Sequence, residues 1–419
     1  MTTTASAPKR RSDKFGLALA GGGPIGAIYE IGALVALEEA LVGVDFTAFD
    51  VYVGVSAGAF LAAGLANGLT PRAMYRSFIE SDAADDPFEP DILLKLALPE
   101  FRDRLRSVPG LIGSAVASYL EDPFGRSLTE SFQRLSRALP TGLFDNSGIG
   151  HYLEAMFSVP GRSNDFRSLG RRLFLVATEL DTGLAVPFGS AGRDDVPISL
   201  AVQASAALPG LFPPVRIGDR HYVDGALKKT LHASVALKEG ARLLLCLNPL
   251  VPFDAALAAR RSDGPREHLV DGGLPVVLSQ TFRAIIYSRM RVGMERYRKE
   301  FPGADVVLFE PARDDRDMFF TNVFSYSSRR RLSEHAYRNT RAELLARYDE
   351  LTPVLARHGV AIDRDVLLDR ERTLGRRRIV RRSRAKALGR AVIELDQTLE
   401  RLEGLLRQAK VPGPAVRGG

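Results

Sequence analysis

Residues 16–26 read GLALAGGGPIG, and residues 50–58 read DVYVGVSAG. Each stretch is a strand-like apolar run that ends in a glycine-rich turn, and helix-like sequence follows each turn. Because strands that alternate with helices form a mostly parallel sheet, we predict that the two turns meet at one edge of that sheet. Backbone amides of the first turn and an exposed serine of the second, Ser56, would then face the same space. This arrangement suits attack on a carbonyl and stabilisation of the resulting oxyanion.

The alternation of strand-like and helix-like segments continues to about residue 250. Further short apolar runs bounded by turns lie at Leu173–Thr178, Tyr222–Val223 and Leu243–Leu247. The pattern predicts an α/β fold with a mostly parallel central sheet covered by helices, followed by a helical, basic C-terminal extension.

Pattern and composition divide the chain into four segments. They are a disordered basic N-terminal tail (1–14), an α/β domain (15–250), a loop, helix and strand that complete the core (251–320), and a basic helical extension (321–419). Within the second segment, residues 80–147 interrupt the alternation, and we interpret them as a cap insertion or a surface excursion.

Charge and cysteine content narrow the class of protein. The net charge of +7 favours anionic partners, either phospholipid headgroups or nucleic acid, and the 45% of hydrophobic residues suit a globular core. Cys246 is the only cysteine, so an intrachain disulfide and a zinc site of several cysteines are excluded. No run reads as a transmembrane helix. We expect a cytoplasmic location in which any membrane contact is peripheral.

The second turn fits a nucleophile elbow. In this motif, G-x-S-x-G, a serine sits on a tight and strained turn between a strand and a helix, and glycines two residues away on either side avoid clashes. Gly54, Ser56 and Gly58 have this spacing, after a strand-like DVYVGV and before a helix of small residues. The competing interpretation is a tight turn with a structural serine.

The first turn also matches a dinucleotide-binding pattern, G-x-G-x-x-G, and here that interpretation fails. Its glycines are Gly21, Gly22, Gly23 and Gly26. A dinucleotide site would need an acidic residue at the end of the second strand, where this chain has Ser56. Amides that point at an anion serve equally well as an oxyanion hole, which is the role we predict for Gly21–Gly23.

A nucleophilic serine needs a base. Four late histidines are candidates for a hydrolase triad, and none lies in an obvious strand-end loop: His232, His268, His335 and His358. An aspartate can do the same work. Asp224, followed by Gly225 and Ala226, ends a short strand, whereas its rival Asp271 follows a charged, loop-like stretch. The strand signal favours Asp224.

Five motifs in order and spacing resemble the patatin-like phospholipase family: GGGPIGAIYEIGAL, GVSAG, ATELDTGLAVPF, ASAALPGLFPPV and YVDGAL. The resemblance covers about residues 15–248. It implies a patatin-like sandwich with a Ser–Asp dyad and no catalytic histidine, acting on acyl esters of phospholipids or neutral glycerolipids. Ser56 would be the nucleophile and Asp224 the base that activates it and later the deacylating water. Neither a cofactor nor a metal is implied.

One position departs from the family pattern, since many relatives carry Arg or Lys where this chain has Ile25. Oxyanion stabilisation is then left to backbone amides and the helix N-terminus, and activity or headgroup preference is expected to differ. Outside the resemblance, residues 375–390 are densely basic. Because the expected substrate is a lipid at a membrane or lipid-droplet surface, we expect them to contact anionic phospholipid rather than nucleic acid. The oligomeric state is not predicted.

Two other functions stay open at this stage. One is an α/β-hydrolase esterase with a histidine triad, and the other is a non-catalytic lipid-binding protein of the same fold. Residues 318–324 (MFFTNVF) form an aromatic cluster that fits either the core or a lipid surface.

Overall fold

The computed structural model describes residues 13–80, 141–142, 144–262, 268–320 and 326–375. The predicted N-terminal tail, nearly all of the predicted cap at 80–147 and the basic stretch after residue 375 therefore lie outside the described residues. Residues 321–324 of the aromatic cluster also lie outside them.

The core is an eight-stranded sheet in the order β6-β7-β4-β3-β1-β8-β9, with β5 paired to β4, and a separate antiparallel pair joins β2 to β10. The strands are β1 (Lys14–Leu19), β2 (Leu41–Val42), β3 (Val51–Gly54), β4 (Arg172–Glu179), β5 (Ala185–Phe188), β6 (Val215–Ile217), β7 (Arg220–Asp224), β8 (Ala241–Leu247), β9 (Asp305–Phe309) and β10 (Ala361–Ile362).

Strand direction divides this sheet into two parts. The strands β4, β3, β1, β8 and β9 are all parallel, whereas β5, β6 and β7 form antiparallel pairs beyond β4. The prediction of a mostly parallel central sheet is confirmed. The antiparallel direction of β7 is not encoded in any motif of the sequence, and it matters because β7 ends at Asp224.

Register explains how Asp224 reaches the same sheet edge as the turns. Gly54 in β3 pairs with Leu175 in β4, and two residues further along β4, Ala177 pairs with Asp224. Ser56 also lies two residues beyond Gly54. The antiparallel strand β7 therefore ends at the level of Ser56 because β4 extends past the end of β3.

Helices cover the sheet. They are α1 (Gly23–Ala40), α2 (Ala57–Ala66), α3 (Pro71–Met74, continued by a π-helical turn at Tyr75–Glu80), α4 (Ser147–Phe157), α5 (Ile198–Ser205), α6 (Ser234–Lys238), α7 (Ala255–Ser262), α8 (Gly273–Glu300), α9 (Arg316–Phe320), α10 (Tyr326–Ala346), α11 (Tyr348–Ala356) and α12 (Arg364–Leu368).

The helix α1 is packed between the sheet and α10. Gly32 permits this close approach, since a Cβ there would lie 2.3 Å from the carbonyl oxygen of Ser333. Glu39 at the end of α1 accepts a hydrogen bond from the Tyr337 hydroxyl (2.6 Å) and pairs with Arg372 (2.8 Å). The described residues up to Leu374 belong to one compact unit. The domain boundary predicted at residue 321 stays a prediction.

The long helix α8 differs from α1 in its exposure. Together with the preceding turn it forms the segment Leu269–Glu300. This segment is long and apolar enough to cross a membrane by length and composition alone, and only 6% of its apolar 18-residue stretch is buried in the protein. We expected no run long and apolar enough to be a transmembrane helix, and by length and composition this expectation is wrong. A single helix of this kind is weak evidence for a membrane span.

Candidate active site

Ser56 occupies a strained turn between β3 and α2. Its φ of 53° and ψ of −120° are rarely adopted by a residue with a side chain. The flanking glycines make the turn possible. A Cβ at Gly54 would lie 2.5 Å from the Ala59 Cα, and one at Gly58 would lie 2.4 Å from the Leu19 carbonyl oxygen. The G-x-S-x-G spacing therefore has the steric function that the motif requires.

A second serine fixes this turn to the neighbouring strand. The Ser56 amide donates to the Ser205 Oγ (2.9 Å), and the Ser205 hydroxyl donates to the Val176 carbonyl in β4 (2.7 Å). Both serines are buried, so Ser56 is less exposed than its sequence context suggested. Ser205 was not predicted as a site residue, because it lies among alanines in a segment that reads as packing. Its signal was a lone hydroxyl in an apolar stretch.

Asp224 lies close enough to Ser56 for the Ser56 hydroxyl to lower the pKa of its carboxyl. One carboxylate oxygen, Oδ1, accepts from the Ala226 amide (2.8 Å), and the Asp224 amide donates to the Ala207 carbonyl (2.9 Å). Burial raises the pKa of this carboxyl to about 6, against the lowering effects of the Ala226 amide and the Ser56 hydroxyl. The carboxyl is therefore mostly ionised at neutral pH and can act as a base there.

Gly225 lets the chain turn directly after this carboxylate. A Cβ at Gly225 would lie 2.1 Å from the Val176 carbonyl oxygen, so a larger residue would push the turn away from β4. Ala226 follows and donates its amide to Asp224. The D-G-A sequence thus holds the carboxylate against the serine turn.

The glycine loop Gly21–Gly23 lies beside Ser56 and Ala226. A Cβ at Gly21 would come within 3.1 Å of both the Ser56 and the Ala226 Cβ atoms, which places the loop beside the serine. Gly23 begins α1, and first-turn amides have no carbonyl partner within their own helix. Since α2 begins at Ala57, two helix N-termini lie next to Ser56 and favour negative charge there.

A buried acid in α1, Glu30, supports the glycine loop Gly21–Gly23. Glu30 in α1 accepts a hydrogen bond from the Ala20 amide (3.0 Å), directly before the loop. Burial raises the pKa of Glu30 well above its usual range, against the lowering effect of the Ala20 amide. Pro249, after β8, limits the loop from outside, because a Cβ at Gly22 or Gly26 would lie 2.7 or 3.0 Å from its Cγ.

The rival bases have other surroundings. His232 is buried and faces the Gly225 carbonyl (3.3 Å), and burial lowers its pKa to about 4. His335 bonds to Asp315 (2.8 Å), and His358 bonds to Asp305 (2.8 Å). His268 and Asp271 lie on the surface just before α8. The structure thus brings Asp224, rather than any of these groups, to the Ser56 hydroxyl.

Three further observations bear on the chemistry. Among the described residues, no group of three or more His, Cys, Asp or Glu side chains could hold a metal ion. Cys246 is buried in β8, where burial raises the pKa of its thiol. A separate polar cleft, lined by Asp50 and Arg172 among others, lies at the amino ends of β3 and β4, opposite the edge that carries Ser56.

The family model described as patatin-like phospholipase matches residues 17–237, more than half of the chain. The chain belongs to the patatin-like phospholipase family. Membership of this family implies a hydrolase of the esterase or lipase type. The matched region contains the glycine loop, Ser56 and Asp224.

Individual relatives are more distant. The chain is 27% identical over 205 residues to an uncharacterised NTE family protein of Mycobacterium bovis, and this match covers 46% of the chain and 30% of the relative. The chain therefore spans less than a third of that protein's length. Crystal structures of VipD from Legionella pneumophila and of the type III effector ExoU are each 16% identical, with TM-scores of 0.35 and 0.34. They cover 80% of this chain, with 67% and 53% of their own chains matched. These scores are too low to support an argument about the fold, which rests on the strand order itself.

Proposed function

We propose that this protein is a serine acyl hydrolase that cleaves carboxylic ester bonds of phospholipids or other glycerolipids. Ser56 is the nucleophile, Asp224 is its base, and the amides of Gly21–Gly23 form the oxyanion hole. The observation that carries the proposal is the proximity of the Ser56 hydroxyl, on a strained turn beside first-turn helix amides, to the buried carboxyl of Asp224.

Acylation follows from this geometry. The Ser56 Oγ attacks the ester carbonyl carbon while Asp224 accepts its proton, which gives a tetrahedral intermediate with a negative oxygen. Loop amides and the two helix N-termini stabilise that oxygen. When the intermediate collapses, the carbon–oxygen bond to the alcohol breaks, the alcohol leaves with the proton from Asp224, and the acyl group stays on Ser56.

Deacylation repeats the same steps with water. Asp224 takes a proton from a water molecule, whose oxygen attacks the acyl carbon. The second tetrahedral intermediate releases the fatty acid, and the Ser56 oxygen recovers a proton from Asp224. One ester and one water thus give one acid and one alcohol, and no cofactor takes part.

Ile25 sets this chain apart from relatives with a basic residue at that position. Its side chain packs against the main hydrophobic core instead of placing a cation near the oxyanion loop. Stabilisation of the oxyanion then rests on backbone dipoles alone. We propose that the chain depends less on an anionic headgroup near the ester than those relatives do.

The test is hydrolysis of a fluorogenic acyl ester in the presence of a chelator. Wild type should be active, whereas Ser56→Ala and Asp224→Ala should be inactive but folded. Asp271→Ala is the matched control for the second D-G sequence and should retain activity. If both dyad variants keep full activity while folded, the assignment is wrong. If His232→Ala alone abolishes activity and Asp224→Ala is tolerated, a histidine mechanism replaces it.

A non-catalytic, lipid-binding role is the outcome if wild type neither hydrolyses esters nor reacts with a fluorophosphonate at Ser56. The substrate itself can be found by comparing lipid extracts treated with wild type and with Ser56→Ala. We further propose a cytoplasmic protein with peripheral membrane contact, to which the basic residues 375–390 contribute by attracting anionic phospholipid.

A further inference from the structure

The outer face of α8 is an unusual surface for a soluble core helix. It consists of six large apolar side chains that are between 39% and 70% exposed: Leu274, Val277, Leu278, Phe282, Ile285 and Val292. Seven of the fourteen exposed large apolar side chains of the described residues lie between Val270 and Val292. Such a concentration marks an interaction surface rather than the scattered exposure that any protein shows.

The opposite face of the helix is anchored to the body. Gln280 exchanges two hydrogen bonds with the Phe253 backbone (3.0 and 2.8 Å), and the buried Arg283 donates to the Val251 carbonyl (3.2 Å). Met290 and Tyr297 continue this buried face towards the helix end. The helix is therefore held in place, and its outer face has a fixed orientation.

These anchors connect α8 to both sides of the candidate active site. The loop that receives Gln280 and Arg283 begins just after Pro249, which limits the glycine loop at Gly22 and Gly26. Arg289 donates to the Leu227 carbonyl (3.3 Å), three residues after Asp224. A surface that binds the outer face of α8 would thus lie beside the loops that carry the oxyanion amides and the base.

The charges along α8 indicate what kind of surface its outer face binds. The first part of α8 carries no acidic side chain, and residues 289–300 carry five cationic and two acidic side chains. Phe320, which is 47% exposed, adds an aromatic ring next to Phe253 at 5.5 Å between centroids. Apolar and aromatic side chains beside a cationic segment match a bilayer interface that contains anionic lipid.

We propose that the outer face of α8 is the membrane-docking surface of this protein and that it lies in the headgroup and upper acyl region of an anionic bilayer. The helix lies along the interface instead of crossing the bilayer, because Gln280, Arg283 and Tyr297 bind it to the protein on its other side. The proposal rests on the proposed function for its substrate. It adds that the body of the enzyme contributes its own docking site, apart from the basic residues after position 375.

Tryptophan fluorescence tests the docking site directly, because the chain has no tryptophan. Phe282→Trp places a single reporter on the outer face, and Leu368→Trp places a matched one at a 53% exposed position on α12. With vesicles of phosphatidylcholine and phosphatidylglycerol, emission of Phe282→Trp should shift to the blue and be quenched by brominated lipid, while Leu368→Trp should not change. Equal behaviour of the two reporters would overturn the proposal. So would a Phe282→Trp emission that is blue-shifted without lipid and unaffected by vesicles, since the chain itself would then cover this face.

Vesicle flotation measures how much the outer face of α8 contributes to membrane binding. Phe282→Glu with Ile285→Glu should lower partitioning onto the same phosphatidylcholine and phosphatidylglycerol vesicles by about tenfold or more, since each side chain loses its apolar insertion. Leu368→Glu should partition like wild type. Unchanged partitioning of the double variant would contradict the proposal. A wild-type dimer in light scattering that the double variant converts to monomer would assign the face to a second copy of the chain and overturn it as well.

The two proposals fail separately. Ser56→Ala should float with vesicles as wild type does, whatever the outcome of the ester assay. Loss of ester hydrolysis in wild type, with vesicle binding intact, would reject the function and leave the docking surface. If wild type hydrolyses a soluble ester but does not bind vesicles, the docking surface is rejected and the proposed function stands.

Discussion

The turn that carries Ser56 and the turn that carries Asp224 lie side by side at one edge of the sheet, yet they are built in opposite ways. Ser56 has a positive φ of 53° and is forced into place by glycines that allow backbone contact. Asp224 has an ordinary φ of −50° and caps its own turn through the Ala226 amide. Steric constraint therefore positions the nucleophile, whereas burial adjusts the proton affinity of the base. Substitutions at the two turns should therefore impair the protein in different ways.

Removing either member of the pair should have the largest effect. Ser56→Ala and Asp224→Asn should each lower kcat for ester hydrolysis by about 10,000-fold or more, because neither group can replace the other. The double variant should be hardly worse than either single variant, which steady-state kinetics can measure. Additive losses would show that the two groups do not act as a unit.

Gly58 tests the steric side of the comparison. Gly58→Ala would place a Cβ 2.4 Å from the Leu19 carbonyl oxygen and 2.6 Å from that of Ala20. We expect it to lower the free energy of unfolding by roughly 3 kcal/mol and to abolish activity. Gly170→Ala is the matched control, since a Cβ there meets nothing within 4 Å. Chemical denaturation of both variants measures the difference, and equal stabilities would contradict the steric account.

The pH dependence tests the electrostatic side. Because Asp224 must be ionised to act as a base and its pKa is about 6, kcat/KM should rise with pH and level off above about pH 7. The rate at pH 4 should be about a hundredfold lower than on the plateau. A profile that is flat from pH 4 to 8 in a folded protein would rule out Asp224 as the base.

The ionisation of Asp224 should also affect protein stability. Stability should fall over the pH range in which kcat/KM rises. The carboxyl has a higher pKa folded than its usual 3.8, so its stabilising contribution is complete below pH 3.8 and is lost as pH rises through about 6. Asp224→Asn, which keeps the size but cannot ionise, should therefore raise Tm relative to wild type at pH 8 and not at pH 4. Calorimetry at the two values measures this, and a variant that is destabilised more at pH 8 would contradict it.

Ser205 should have the smallest effect, since it acts only by holding the Ser56 turn. Ser205→Ala removes the partner of the Ser56 amide and should lower kcat by about tenfold, together with a loss of stability of about 1–2 kcal/mol. Ser199→Ala on the same helix is the matched control, because Ser199 is also buried and bonds to Asn164 (3.0 Å). It should lose similar stability but keep kcat. Equal kcat values for the two variants would reduce Ser205 to a structural role.

Local chemistry decided what the sequence could predict. Gly54, Ser56 and Gly58 are close together in the chain, so the strand, turn and helix around them follow from one short motif. The glycine loop is predictable for the same reason. The strand before Asp224 was also predictable, and the segment 251–320, which was predicted to contain a strand, has one at Asp305–Phe309.

Non-local pairing decided what the sequence could not predict. No short-range signal shows that β7 runs antiparallel to β4, or that the extra length of β4 brings Asp224 level with Ser56. Ser205 touches Ser56 from 149 residues away, and its hydroxyl lies in an otherwise apolar segment. The exposure of α8 was equally hidden, since an apolar helix is expected to be buried and only the packed structure shows which face has a partner.

The most direct test of the account is the rate at which a fluorophosphonate labels Ser56 as a function of pH, followed by intact-protein mass spectrometry. In wild type one adduct should form on Ser56, with a rate that rises through a pKa of about 6. In Asp224→Asn the rate should fall by at least about a hundredfold and lose this pH dependence. Labelling of Asp224→Asn at the wild-type rate, or an adduct on another residue, would contradict the claim that Asp224 activates Ser56.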